Sequence, residues 1–326
     1  MHGLIDKGVI AVIGPEGDEL AKSLPPILEP LGIPLITPSS SSAPVEVSAE
    51  TSLWFRLAPS AEDLGTAMGR YLRTEGVTDI AIVSTDTEYD TSFSAAVAAR
   101  LEEADIAIAI SENILPSAAD FTDVVHRVVD AAPKAIVLAA DASTGSRFVN
   151  DYDFVLGSTD GVKWYLSPQL EQPGFLLNTS PEDVEGMIGV AAAVSPVKAR
   201  TDAFTKAFEE RWDGAAPTTG AFYYYDALAL FAVAFEGAAT KVGNAHPDPE
   251  TLRSYMLSSS GQSGLVVEWD ELPKGLENAS KGEAVYYTGV TGVLSLDEAG
   301  ARSAVYTRLW TIEGGQVVPL PEAQAE

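Results

Sequence analysis

The chain has 326 residues, 46% of them hydrophobic, with 47 acidic and 20 basic side chains and no cysteine. A formal net charge of −27 repels phosphate backbones and anionic lipid headgroups, which makes nucleic acid and membrane surfaces poor partners. The absence of cysteine removes disulfide frameworks, thiolate nucleophiles and cysteine-ligated zinc, and leaves the redox compartment open.

In chain order, the apolar run Val9–Ile13 ends at Gly14-Pro15 and reads as a strand buried on both faces. It is shorter than the core of a signal peptide, about 7–15 residues. Asp18 is placed to cap a following helix, which Pro25-Pro26 interrupts and Gly32 ends. Ile33–Thr37 is the next strand, then come a hydroxyl-rich loop from Thr37 to Ser42 and an extended stretch, Leu53–Leu57. From Ile80 the alternation is regular: strand Ile80–Ser84, helix Thr91–Ala104, strand Ile106–Ile110, helix Asp120–Ala131, strand Ala135–Ala139, helix Thr144–Val155, strand Trp164–Leu166. Phe121, Val124, Val125, Val128 and Val129 carry the helical spacing of a stripe that faces a sheet. Strands separated by helices run parallel, so this order predicts a doubly wound α/β sheet.

After Val194 helices dominate, and Phe222–Phe235 is apolar all round except for Asp226, the mark of a buried helix whose one acid must be partnered or protonated. Ala227–Phe235 is the longest apolar candidate and falls well short of the eighteen or so residues a membrane helix needs. A lower-complexity stretch from Gly261 to Gly282 precedes strand-like segments at Tyr286–Leu296 and Ala304–Ile312, and the chain shows no internal repeat. Ligands in such sheets bind outside the carboxyl ends of the strands, so the candidate site is built from the loops Gly14–Asp18, Thr37–Ser42, Ser84–Asp90, Ala140–Thr144 and Ser167–Leu170.

Enzyme signatures are missing. There is no G-x-G-x-x-G after a strand, phosphate-binding loop, H-E-x-x-H or G-x-S-x-G. His2, His126 and His246 are scattered and read as solvated, and acid pairs such as Asp86/Glu88 arise by chance among 47 acids. No catalytic residue, metal site or cofactor is assigned.

Val12-Ile13-Gly14-Pro15, Gly32-Ile33-Pro34-Leu35-Ile36-Thr37-Pro38-Ser39, Phe55-Arg56-Leu57-Ala58-Pro59-Ser60, Thr87-Glu88-Tyr89, Pro116 to Phe121, Tyr225-Asp226-Ala227 and Thr291-Gly292-Val293 follow one another over nearly the whole chain. In this order they resemble the branched-chain amino-acid (Leu/Ile/Val) binding proteins of ABC transporters, with the type I periplasmic binding protein fold. The resemblance implies an α/β protein of two lobes joined by three crossovers, with residues 1–58 and 195–284 in lobe I and 59–194 and 285–326 in lobe II. It further implies closure on a small ligand, an ABC permease as membrane partner, and a periplasmic or lipid-anchored location. Family members carry about 70 residues ahead of the Val9–Ile13 equivalent, comprising an export signal, two strands and a ligand-contacting loop, so the first lobe is expected to be incomplete, with an uncovered edge at Val9–Ile13.

Carried over residue by residue, the resemblance gives Asp18, Ser39 and Ser41 as ligand contacts on lobe I and Tyr89, Asp141 and Gln169 on lobe II. Three positions depart from the pattern. Asp18 stands where the family has a hydroxyl that holds the ligand carboxylate, Asp90 where it usually has glycine, and Gln169 where an acid pairs with the ligand ammonium. The first-lobe anion position gains a negative charge and the second-lobe cation position loses one, which argues against an α-amino acid bound in the usual orientation and for a polar ligand whose cationic or neutral hydrogen-bonding group lies near Asp18 or Asp141. Asp226 and Arg56 are expected to be structural, and core packing is the alternative for Tyr89. A sensory ligand-binding module of the same fold is the alternative function, with an α/β enzyme behind it.

Overall fold

The computed structural model describes residues 1–15, 17–38, 52–261 and 263–320. They form two compact units: residues 1–59 with 193–306, and residues 60–192 with 307–326.

The first unit opens with a three-stranded parallel sheet in which β1 (Val12–Ile13) pairs with β2 (Leu35–Thr37), and β2 with β3 (Trp54–Arg56). These strands are shorter than the apolar runs that predict them. As expected, the prolines break the intervening helix: one helix spans Asp18–Ser23 and a second starts at Pro25. Proline lacks the N–H that a continuing helix needs from it but is tolerated in a first turn.

The chain then enters the second unit with a helix at Ala61–Thr74, which the elements read from the sequence omit although Leu64, Ala67, Met68, Tyr71 and Leu72 carry the helical spacing. Its start is also written locally. Ser60 Oγ accepts from the Asp63 N–H at 2.9 Å while the Ser60 N–H donates to Asp63 Oδ2 at 2.7 Å, a reciprocal cap on two otherwise orphaned donors. Strands β4 (Ile80–Thr85), β5 (Ile108–Ile114), β6 (Ala135–Ala139), β7 (Lys163–Leu166) and β8 (Ile188–Ala193) follow, with helices Glu88–Glu102, Thr122–Asp130 and Ala142–Leu156 between the first four.

Back in the first unit, helix Thr219–Val242 extends the apolar segment at both ends, and β9 (Leu265–Glu268) pairs in parallel with β10 (Val285–Gly289), which pairs antiparallel with β11 (Gly292–Val293). The stretch read as low in complexity therefore contains a strand and a helix, Leu272–Ala279. The β9–β10 ladder also keeps residues 285–306 in the first unit, which corrects their expected place in lobe II. Finally β12 (Tyr306–Glu313) and β13 (Gln316–Pro319) form an antiparallel pair on the second unit's sheet.

That sheet has the order β13-β12-β8-β7-β6-β4-β5, with β4 through β8 parallel. Alternate side chains of each strand go to opposite faces. Ile80 and Ile82 of β4 join Leu64, Met68, Phe93 and Val97 of the helices 61–74 and 88–102, while Ala81 and Val83 join Val125, Val128, Phe148 and Val149 of the helices 122–130 and 142–156. Both faces are covered by helices, as a parallel sheet requires. Because β5 lies on one side of β4 and β6 on the other, the strand order reverses at β4.

Candidate functional site

The reversal decides where the site of the second unit lies. Helices that leave neighbouring strands on opposite sides of a sheet diverge, and the loops above the carboxyl ends of those strands open a crevice. Here the strands are β4 and β6, whose ends are side by side in the register Ser84↔Ala139, and the diverging helices begin at Glu88 and Ala142.

The first of these helices is capped by Thr87, whose hydroxyl accepts from the Asp90 N–H at 3.2 Å. Asp90 is buried. Its Oδ2 accepts from Thr85 Oγ1 at 2.5 Å and from Thr87 Oγ1 at 2.9 Å, so one carboxylate ties the end of β4 to the cap of the helix. Burial pushes the Asp90 pKa up; the two threonine hydroxyls pull it down and the Asp141 carboxylate raises it again, leaving it above the ordinary value.

Asp141 caps the second helix. Its Oδ1 accepts from the Ser143 and Thr144 N–H groups at 2.9 and 3.0 Å, and its Oδ2 from Thr144 Oγ1 at 2.6 Å. Burial works to raise its pKa, but the bonds from Thr144 and Ser143 outweigh it and hold the carboxyl below its usual value. Asp141→Ala is expected to cost about 1 kcal/mol of stability by loss of the cap. A depressed carboxyl contributes stability above the unfolded-state pKa and loses it as pH falls through the folded-state pKa. The difference between wild type and variant in urea midpoint should therefore shrink on acidification below the ordinary carboxylate range.

The end of β7 adds Ser167, whose hydroxyl accepts from the Ala140 N–H at 3.3 Å and ties this loop to the end of β6. Gln169 follows, half-buried, in the short helical turn Pro168–Glu171. The turn sits close to the Asp141-capped helix, because a Cβ on Gly145 would fall 2.4 Å from Leu170 Cδ2. Asp141 and the Gln169 turn thus belong to one strand-end edge.

Other expectations change. Tyr89 is in the first turn of a helix rather than at a strand end, and packs partly on the cluster of Leu64, Phe93 and Val97, which fits the core-packing alternative. Asp18 is the first helical residue, not the cap. The cap position belongs to Gly17 at φ 88°, a conformation glycine adopts without the Cβ clash, so the loop turns one residue earlier than the carboxylate rule places it. Ser39 and Ser41 lie outside the described residues. Sequence reasoning gave no role to Thr85, Thr87 or Ser167. The spacing Thr87-x-x-Asp90 was the available signal, since it is the pattern of a helix start.

In the first unit, Asp226 is fully buried and takes four donors: Tyr287 Oη at 2.9 Å and the Val290 N–H at 2.8 Å on one oxygen, the Thr291 N–H at 2.8 Å and Thr291 Oγ1 at 2.6 Å on the other. Arg302, also buried, donates to Thr291 Oγ1 at 2.9 Å, to the Thr291 carbonyl at 2.7 Å and to the Val293 carbonyl at 3.0 Å. This is scaffold, as expected of Asp226. Arg56 likewise donates to the Ala58 carbonyl at 2.7 Å.

Among the described residues no group of three or more His, Asp or Glu is arranged to hold a metal, and no helix is long and apolar enough to cross a membrane. No curated protein sequence matches the chain. Solved structures do. The leucine-binding protein LivK of Thermotoga maritima is 16% identical, with 98% of this chain and 81% of that chain covered at a TM-score of 0.72. An ABC transporter substrate-binding protein from Desulfitobacterium hafniense in complex with Leu is 20% identical, with 96% and 81% covered at 0.70. A solute-binding protein of an ABC transporter from R. palustris, in complex with benzoate, is 16% identical, with 97% and 78% covered at 0.67. At these identities the likeness shows the fold: the type I periplasmic binding protein architecture. The periplasmic binding protein family matches residues 1–269, and the chain belongs to that family of extracytoplasmic binding proteins, not enzymes.

Proposed function

We propose that the chain is the solute-binding component of an ABC transporter, taking up a small polar or amino-acid-like ligand outside the cytoplasm and delivering it to a membrane permease. Family membership supports the binding role. The observation that carries the reading to particular residues is the reversal of strand order at β4, which gathers Thr85, Asp90, Asp141 and Ser167 at one edge of the second unit. Tyr89, Asp141 and Gln169 are the proposed ligand contacts there, and Asp18, Ser39 and Ser41 those of the first unit. The two units are proposed to close on the ligand.

Two measurements test this. Native mass spectrometry of the intact chain is expected to show a retained small molecule, or binding from a solute panel at one equivalent per chain. Ligand addition is expected to change the emission of at least one of the five tryptophans, since hinge closure alters their surroundings. A chain that binds nothing in either assay, while folded by circular dichroism, rules out the binding role.

A further inference from the structure

The crevice edge holds a carboxylate whose hydrogen bonding is half complete. Asp90 is 1% exposed, and its role at the helix start accounts for Oδ2 and for its N–H. Its Oδ1 is buried and has no partner among the described residues. Folded proteins leave few buried polar atoms without a partner, because an acceptor stripped of water and given no donor is costly. The charged group that acts on Asp90 is a second acid, Asp141, which makes the deficit worse rather than relieving it. Two carboxylates that sense each other near the end of a parallel sheet, one with an open acceptor, lack a positive partner among the described residues.

We propose that Asp90 and Asp141 together recognise a cationic N–H donor, with Asp90 Oδ1 as its acceptor, so that the ligand is an organic cation of the primary amine or guanidinium class. The inference rests on the solute-binding reading and narrows it to a ligand class. A protonated amine supplies both things missing from the pair, a donor and a counter-charge, and a charge-assisted bond in a buried site is strong. A quaternary ammonium brings the charge without the donor. A hydrated metal ion fits less well, since two acids with three of their four oxygens already accepting hydrogen bonds offer few ligands. Burial of Oδ1 favours a group that sheds its water on entry over one that stays hydrated. The negative charge of this edge would also repel a ligand carboxylate pointed at it.

The test is isothermal titration of the intact chain with agmatine, putrescine, choline, leucine and benzoate, repeated on Asp90→Asn and Asp141→Asn. Asparagine keeps the cap at 141 and the shape at 90. Agmatine or putrescine is expected to bind and choline not, with affinity falling by about tenfold or more in Asp90→Asn, where an amide N–H replaces an acceptor or its charge is lost. Should Asp90→Asn fail to fold, Asp141→Asn carries the test, with a weaker loss expected and an unchanged affinity counting against the proposal. Cation affinity unchanged in Asp90→Asn together with a raised melting temperature identifies a proton as the counter-charge and overturns the inference. Binding of leucine or benzoate without binding of either N–H cation overturns it too, but leaves the solute-binding reading standing. If no probe binds and native mass spectrometry shows no retained molecule, both fail.

Discussion

Replacing Asp226 by alanine is expected to destabilise the first unit by about 4 kcal/mol, seen as a lower urea midpoint of the transition that reports it. Four donors converge on this carboxylate, and three of them, Tyr287 Oη and the N–H groups of Val290 and Thr291, are left facing a void when it is removed. Each orphaned buried donor costs about 1–3 kcal/mol, and partial relaxation brings the sum down. Arg302 adds to the loss, because its guanidinium is buried and Asp226 is one of the groups that favour its charge. Burial raises the pKa of Asp226 while the hydroxyl and backbone donors lower it, so the fold holds the group against a real desolvation cost. Asparagine is no cure. Whichever oxygen it replaces with NH2 meets two donors head on, so Asp226→Asn is expected to recover only part of the loss. A variant of wild-type stability would show that the donors find other partners. The site also constrains its surroundings: a Cβ on Gly289 would lie 2.3 Å from the Asp226 carboxylate, which explains the glycine that follows Thr288 in β10.

The role of Asp226 is legible in the sequence because an acid within an apolar helix has few physical options. The alternating strands and helices between Ile80 and Leu166 were legible for a similar reason, since the Val124, Val125, Val128 and Val129 stripe repeats often enough to outweigh local noise. Features defined by a residue or two were harder. The cap of the helix after β1 lies at Gly17 and not at Asp18, because a positive φ is invisible to a rule about carboxylate caps. Strand β9 is four residues long, has two exposed apolar side chains, Leu265 and Val266, and takes its conformation from pairing with β10, twenty residues away. The placement of residues 285–306 failed with it, as their unit is set by that pairing and not by their own pattern. At the candidate site, Asp90 and Asp141 were each visible as acids in loops after strands. That they occupy one edge follows from the β4–β6 pairing, a contact across more than fifty residues that local periodicity does not encode. Family resemblance supplied positions there, but not the chemistry at position 90, where this chain departs from the pattern.

In the second unit, the substitution expected to do most damage lies in a helix with no polar role. Gly65 faces the helix Glu88–Glu102, and a Cβ there would fall 2.3 Å from the Phe93 carbonyl oxygen and 2.9 Å from Ala96 Cβ. One turn on, a Cβ on Gly69 would fall 2.5 Å from Arg100 Cβ, so the two helices approach along a line of missing side chains. Helix propensity alone favours replacing either glycine, by about 1 kcal/mol for alanine. The opposing effect decides the sign, because the nearest atom is a backbone oxygen fixed within a helix and cannot rotate away as a side chain does. Opening the helix pair also loosens Leu64, Met68, Phe93 and Val97, which pack beneath it against Ile80 and Ile82 of β4. Gly65→Val is expected to cost about 3 kcal/mol, at the upper end for overpacking, and Gly65→Ala less. Gly174→Ala is the matched control: it is also helical, and its added Cβ would make only an ordinary contact, 3.6 Å from Ala142 Cβ, so it should be neutral or mildly stabilising. Because the helix 88–102 carries Asp90 in its first turn, a Gly65→Val protein that still folds is further expected to bind its ligand more weakly, and titration of that variant at a temperature where it is fully folded separates this effect from the loss of stability. If Gly65→Val and Gly174→Ala shift the urea midpoint equally, close approach of the two helices is not what the glycine provides.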